Sequence, residues 1–515
     1  MDRDEALRHL NEPFDVLIIG GGATGLGMAV DSASRGYSTA LVEAGDFAQG
    51  ASSRSTKLAH GGVRYLRLGH ISLVREALRE RRLMMRNAPH LVHETRFLVP
   101  TTSVWERLYY AVGLKLYDAL AGRLNLTPSR VVDARTTHEL APTLSFKDSS
   151  GGIVYSDAQF NDSRYAMSLA RTAHDSGAVL VNYAPVTALT HDNGKVCGAQ
   201  VTDLESGQTH TVRAKAVVNA TGVQTDTVRC MDHADAPPMV RASQGIHVVL
   251  DRSFLPGETA IMVPKTSDGR VFFLIPWEGR VLAGTTDTPV DINGNEPTAL
   301  EEEVEFVLFH AGQYLTRKPQ RSDVLSVFAG LRPLVKDGAA NTAKMSRDHT
   351  ILVSDSGLVT ITGGKWTTYR RMAEEAVTRA AATAGLPARK CVTESLTLHG
   401  AAGTNTPWRE FSATDEEITA FEIRYPGCLH PRMPYSNAMA AYVIVNEMPL
   451  HLADVLSRRL RALLLDARAA VESAPRVAAL MAEIQGRDSG WVERELAGFA
   501  SLTQHYMLSP ETPDA

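Results

Sequence analysis

The chain has 515 residues, enough for about three domains at roughly 150 residues each. Hydrophobic residues make up 44% and charged residues 22%, the balance of a globular protein, which excludes a disordered chain. The 53 basic and 58 acidic residues leave a net charge of -5, without the basic surplus of a nucleic-acid binder, so no nucleic-acid partner is expected.

Taken in chain order, MDRDEALRHLNEPF lacks the apolar core of a signal peptide, so no secretion is expected. Phe14–Ile19 then reads as a buried strand, followed by Gly20–Gly25, a helical stretch to Gly36 and a second strand at 39–43: a β-α-β unit. The spacing predicts a helix over 75–86 that is basic on one face, and an aromatic-rich helix over 105–120. AVVNATG (216–222) and LVTITGG (358–364) read as strands ending in glycine, the latter running into a helix from Trp366. Between them, IHVVL, AIMV, RVFFLIP and RVLAGTT read as an antiparallel sheet. HGAAGTNTP (399–407) reads as a linker, and LADVLSRRLRALLLDARAA (452–470) as one helix. The fold class expected is α/β: a Rossmann-like dinucleotide domain (1–100, 150–240, 331–390), an inserted antiparallel-sheet substrate domain (101–149, 241–330) and a helical C-terminal domain (391–515).

Gly20, Gly22 and Gly25 form GxGxxG between a strand and a helix, where bare backbone can approach a pyrophosphate at a helix N-terminus. Glu43 ends the next strand, where a carboxylate accepts ribose hydroxyls. Distant supports at Gly222 and at Gly363, Gly364 and Thr367 favour FAD over a nicotinamide cofactor, because a flavin ring needs holding by separate segments. Ser52–Leu66 (SSRSTKLAHGGVRYL) adds Ser52, Ser53, Thr56, Lys57 and Gly62 on the cofactor side, with His60, Arg64 and Tyr65 toward a substrate; Val186 completes the cofactor set. Four dispersed cysteines (Cys197, Cys230, Cys391, Cys428) fit a reducing compartment, and no metal is expected.

Together, DVLIIGGGATG, SSRSTKLAHGGVRYL, FAGLRPL (328–334), SRDHTI (346–351) and ITGGKWTTYR (361–370), in that order, resemble the FAD-dependent glycerol-3-phosphate dehydrogenases of the D-amino-acid-oxidase-like superfamily. The resemblance covers about residues 12–390 and, less specifically, the C-terminal portion. It implies oxidation of sn-glycerol 3-phosphate to dihydroxyacetone phosphate by hydride transfer to FAD, with electrons passing to a membrane quinone. It also implies a homodimer and peripheral attachment to the inner face of the cytoplasmic membrane.

That chemistry asks for guanidinium forks on a phosphate dianion, and Arg332 and Arg64 match the family positions, with Arg347 as a third. It asks for a base titrating near neutrality, for which His247 matches the family histidine and His60 competes. Lys365 is placed to steady charge beside the flavin or ligand. Each has a blander role open to it: His247 as a core histidine, Arg332 as partner of Asp337 or Asp348, and the 285–287 turn as a sheet end. Gln244 stands where the family often carries lysine, which weakens the phosphate assignment. Alternatives are an oxygen-using glycerol-3-phosphate oxidase, an amine oxidase of sarcosine or glycine type, and a flavin-binding assembly or sensor protein without turnover. Membrane contact could come from Trp105, Tyr109, Tyr110, Leu114 and Tyr117 or from Arg458–Leu464, although an aromatic stripe is more often core and a charge run a solvated face.

Overall fold

A computed structural model describes residues 1–63, 66, 69–145, 150–267, 269–291, 296–336, 348–401 and 407–509. Its first sheet runs His349–Val353, Val359–Gly363, Thr209–Asn219, Pro13–Ile19, Thr39–Val42, Val179–Val181. The last five strands are parallel, as helical crossovers require, and His349–Val353 is antiparallel at the edge. Strand alternation divides the core here. Val16 and Ile18 pack beneath helices Ala23–Ser34, Asp162–Asp175 and Tyr369–Thr383. Leu17 and Ile19 face the hairpin of Val186–Asp192 and Lys195–Thr202.

Among the described residues the second sheet is antiparallel apart from one pair, Val92–Thr101 with Ala260–Val263. Its centre for function is the long strand Val240–Asp251, paired on one side with Arg280–Gly284 and on the other with Val324–Val335. The sheet draws on Val92–Thr101 and Gly151–Phe160 as well. It therefore reaches beyond the spans expected for a substrate domain, because the chain crosses between layers more often than turn signals reveal.

The C-terminal helices Asp415–Arg424, Asn437–Asn446, Ala467–Gln485 and Ser489–Thr503 are not an appendage. Their buried Tyr442, Val477 and Phe499 share one core with Val249, Ile275 and Phe328 of the second sheet. Each aliphatic or phenylalanine side chain among them contributes about 1.5–3 kcal/mol on burial. The single helix expected over 452–470 is broken: a wide turn, Asp454–Arg459, is followed by Arg461 in the left-handed region (φ 57°) and a new helix capped by Asp466. Arg458, Arg459 and Arg461 are buried with Leu463 and Leu464, so this stretch is core and cannot lie on a membrane. The linker expected over 399–407 falls mainly outside the described residues. Among the described residues no helix is long and apolar enough to cross a membrane.

Candidate active site

The glycine turn is built by close approach. Gly20 takes φ +113°, and a Cβ on Gly25 would sit 1.8 Å from the Gly20 carbonyl oxygen. The helix that follows starts at Gly22 with no cap from that residue's own side chain. Ser52 Oγ accepts the Ala23 N–H at 2.9 Å, which brings its hydroxyl to the helix start. At the end of the next strand the Glu43 carboxylate accepts the N–H of Gly21 at 2.6 Å and of Gly45 at 2.9 Å. Burial raises its pKa, against those two hydrogen bonds. Bare backbone, a positive helix end and a carboxylate at the ribose position fit the adenosine diphosphate half of FAD.

The segments expected around the flavin meet. Trp366 Nε1 donates to the Ser52 carbonyl at 2.8 Å, and the His60 N–H to Thr367 Oγ1 at 3.2 Å. Gly363 and Gly364 turn with φ +81° and +75° into the helical start at Trp366. The 220–222 segment packs on the first turn: the Ala220 oxygen lies 2.6 Å from where a Gly20 Cβ would be, and Gly222 lies beyond it. Tyr183 and Ala184 donate to the carbonyls of Gly45 and Glu43, both at 2.8 Å, so the strand opening at Val186 starts beside the ribose loop. Gly62 sits next to Gly61, whose N–H donates to Tyr117 Oη at 2.8 Å.

Lys57 departs from the expected cofactor contact. Its ammonium is fully buried, 2.7 Å from Asp162 and 2.7 Å from the Ser53 carbonyl, and lies over the rings of Trp277 and Phe328. It fixes the 52–57 loop from inside.

On the substrate side, Ser243, Gly245 and His247 face the same way, opposite Arg332, Gly330 and Phe328. The Arg332 guanidinium lies across the strand over Gly245, where a Cβ would be 2.0 Å from its Nη2. It donates to the Thr286 carbonyl and to Thr285 Oγ1, both at 3.1 Å, and Asp287 is 3.9 Å away. That turn is held from behind by the buried Glu303, which accepts from Thr286 Oγ1 at 2.7 Å and Thr288 Oγ1 at 2.6 Å. The 285–287 turn therefore both ends the sheet and grips the arginine.

His247 is 1% exposed, stacked on Phe328, with its Cδ2 2.5 Å from the place of a Gly284 Cβ. Its Nε2 is 3.0 Å from Thr56 Oγ1, and among the described residues its buried Nδ1 has no hydrogen-bond partner. Burial, then the charges of Lys57 and Arg332, push its pKa well down, so the ring is neutral near pH 7. His60 lies elsewhere, among Asp157, Lys365 and Arg81. Burial, then Lys365 and Arg81, lower its pKa, and Asp157 opposes them. Thr56 thus joins the substrate histidine rather than standing only on the cofactor side, and the two histidines do not share one environment.

Gln244 corrects the sequence reading. It points to the opposite face, donating to Glu303 Oε2 at 2.7 Å and the Thr298 carbonyl at 2.9 Å. A lysine there would pair with Glu303, so glutamine takes no cation from the site. Arg64, Tyr65, Arg347 and Asp337 lie outside the described residues. Sequence reasoning missed Glu303, whose partners at 244, 286 and 288 lie on other elements, and Asp46 with the arginines that hold it from more than 400 residues away, because no local motif marks such a charge.

The family model for FAD dependent oxidoreductases matches residues 15–370, and that for the C-terminal domain of alpha-glycerophosphate oxidase matches residues 421–490. A mitochondrial glycerol-3-phosphate dehydrogenase of Arabidopsis thaliana is 38% identical over 94% of this chain and 85% of its own. The human mitochondrial enzyme of that name is 40% identical over 93% and 71%. The structure of a Bacillus halodurans glycerol-3-phosphate dehydrogenase complexed with FAD superposes with a TM-score of 0.77 at 28% identity, covering 99% of each chain. The chain belongs to the FAD-dependent glycerol-3-phosphate dehydrogenase family and is an FAD enzyme.

Proposed function

We propose that this enzyme oxidises sn-glycerol 3-phosphate at its secondary hydroxyl to dihydroxyacetone phosphate, passing the electrons to a quinone from the inner face of the cytoplasmic membrane. The observation that carries the reading is Arg332 and a neutral, buried His247 on the same face of two adjacent strands, with Arg332 held by the 285–286 turn. Arg332, 27% exposed at its side chain, offers donors to a phosphate dianion while Thr285 and Thr286 fix its plane. Thr56 Oγ1, 3.0 Å from Nε2, orients the His247 ring, and this neutral imidazole takes the hydroxyl proton. Bound FAD supplies the hydride acceptor. Lys365, at the start of the Trp366 turn, adds positive charge beside His60.

Support for membrane contact comes from the helix Val104–Ala121. Trp105, Tyr109, Val112 and Leu116 are exposed along one face, while Leu114 and Tyr117 are buried. The neighbouring helix Ile71–Asn87 exposes Arg75, Arg79, Arg82 and Arg86 at helical spacing; Arg79 pairs with the Glu394 carboxylate and Arg86 donates to the Glu394 carbonyl, so Arg75 and Arg82 are the pair best suited to anionic lipid.

One observation favours a second reading, with oxygen as acceptor: the match of residues 421–490 to the glycerophosphate oxidase C-terminal domain. Holoenzyme on anionic vesicles containing quinone is assayed with glycerol 3-phosphate in air. Quinone reduction with little peroxide supports the dehydrogenase, and peroxide matching product formation supports the oxidase. No product with either acceptor contradicts both.

A further inference from the structure

The loop that presents Glu43 is gripped from the far end of the chain. Asp46, three residues on, is fully buried. Its carboxylate accepts from Arg458 Nε and from both terminal nitrogens of Arg459, the bond to Oδ1 at 2.8 Å. Burial alone would raise the Asp46 pKa, but the charges of Arg459 and then Arg458 outweigh it and hold the group at about 2. The same wide turn reaches the other side of the loop: Arg458 also binds Asp454, which accepts from Tyr183 Oη at 2.6 Å, and the Tyr183 N–H donates to the Gly45 carbonyl.

A buried ion cluster adds little stability over apolar packing, so its use here is sought in what it fixes. The cluster pins Asp46, three residues after Glu43 in the same loop; Glu43 holds the Gly21 and Gly45 amides, and the nearby Asp46 charge adds to the upward shift of its pKa.

We propose that the C-terminal helical domain is a cofactor clasp: Arg458 and Arg459, through Asp46, position Glu43 for the hydroxyls of the adenosine ribose. The arginines are positioning residues, with no contact to the cofactor of their own. The inference rests on FAD binding and on Glu43 as its ribose acceptor, not on the identity of the substrate.

The test titrates apoprotein with FAD and with an FAD whose adenosine ribose lacks its hydroxyls, following quenching of flavin fluorescence. The parent is expected to prefer FAD by about tenfold or more, the range of a charge-assisted hydrogen bond. Arg459→Gln and Asp46→Asn should bind FAD more weakly, bind the deoxy form nearly as the parent does, and so lose the preference. General damage to the fold would weaken both ligands alike and keep it. Tyr183→Phe, which removes one hydroxyl and keeps the ring, tests the same link where the buried variants do not fold, with a smaller fall in preference expected. An unchanged preference in the folded variants overturns the clasp. So does the absence of any preference in the parent. Neither outcome bears on glycerol 3-phosphate oxidation.

Discussion

Thr56 Oγ1 lies 3.0 Å from His247 Nε2, across 191 residues of sequence. One bond thus ties the loop that follows the ribose strand to the sheet that carries the substrate arginine. Because Thr56 shares a loop with Ser52 and Lys57, whatever sets that loop on the cofactor also sets the orientation of the imidazole.

Removing the hydroxyl without the bulk isolates this link. Thr56→Val should lower kcat by about tenfold while FAD stays bound, since the ring loses the hydrogen-bond partner that orients it. His247→Gln should lower kcat by roughly two to four orders of magnitude, the range of a lost general base. His60→Gln should do less, because His60 lies away from Arg332. Steady-state kinetics on flavin-saturated enzyme reads all three, and a larger loss from His60→Gln would transfer the base to that residue.

Gly245 leaves the space in which the Arg332 guanidinium lies. Gly245→Ala should therefore resemble Arg332→Ala, raising the KM for glycerol 3-phosphate by about 10-fold or more with flavin content unchanged, as loss of a charge-assisted fork costs about 1.5–3 kcal/mol. A Gly245→Ala enzyme with the parent KM would mean the arginine can work from another position.

The acid side of the pH profile follows from the direction of the His247 shift. Its pKa is pushed below 6.5 by burial, then by Lys57 and Arg332, so the ring stays neutral as pH falls through 6.5. Its contribution to kcat/KM should hold from neutrality through 6.5 and decline only in more acidic solution. The stability of the fold carries the same sign, because the unfolded histidine takes up its proton first. A His247-dependent inflection at or above 6.5 would contradict the buried, cation-flanked setting.

Lys57 and Asp162 are both fully buried, 2.7 Å apart. Lys57→Met leaves a buried carboxylate without its cation and should destabilise the protein by about 3–5 kcal/mol, while Lys57→Met with Asp162→Asn should lose markedly less. Chemical denaturation of the holoenzymes distinguishes these, and equal losses would mean the pair acts as packing alone.

Short-range features were legible in the sequence and long-range ones were not. The glycines at 20, 22 and 25 and the carboxylate at 43 form a contiguous strand–turn–helix–strand unit, so spacing alone places them. Gln244 was open to the same logic: strand period two puts residues 243, 245 and 247 on one face and 244 on the other, toward Glu303. The break at Arg461 was beyond periodicity, because apolar spacing continues through it. The chain turns there so that Arg458 and Arg459 can reach Asp46, more than 400 residues away in sequence, and tertiary charge pairing overrides helix propensity.

The most direct measurement mixes flavin-loaded enzyme with sn-glycerol 3-phosphate in the absence of oxygen and quinone. The account predicts that the yellow absorbance bleaches and that one dihydroxyacetone phosphate forms per flavin, with both slowed by His247→Gln. A flavin that stays oxidised, or that bleaches equally well with the phosphate-free alcohol, would contradict it.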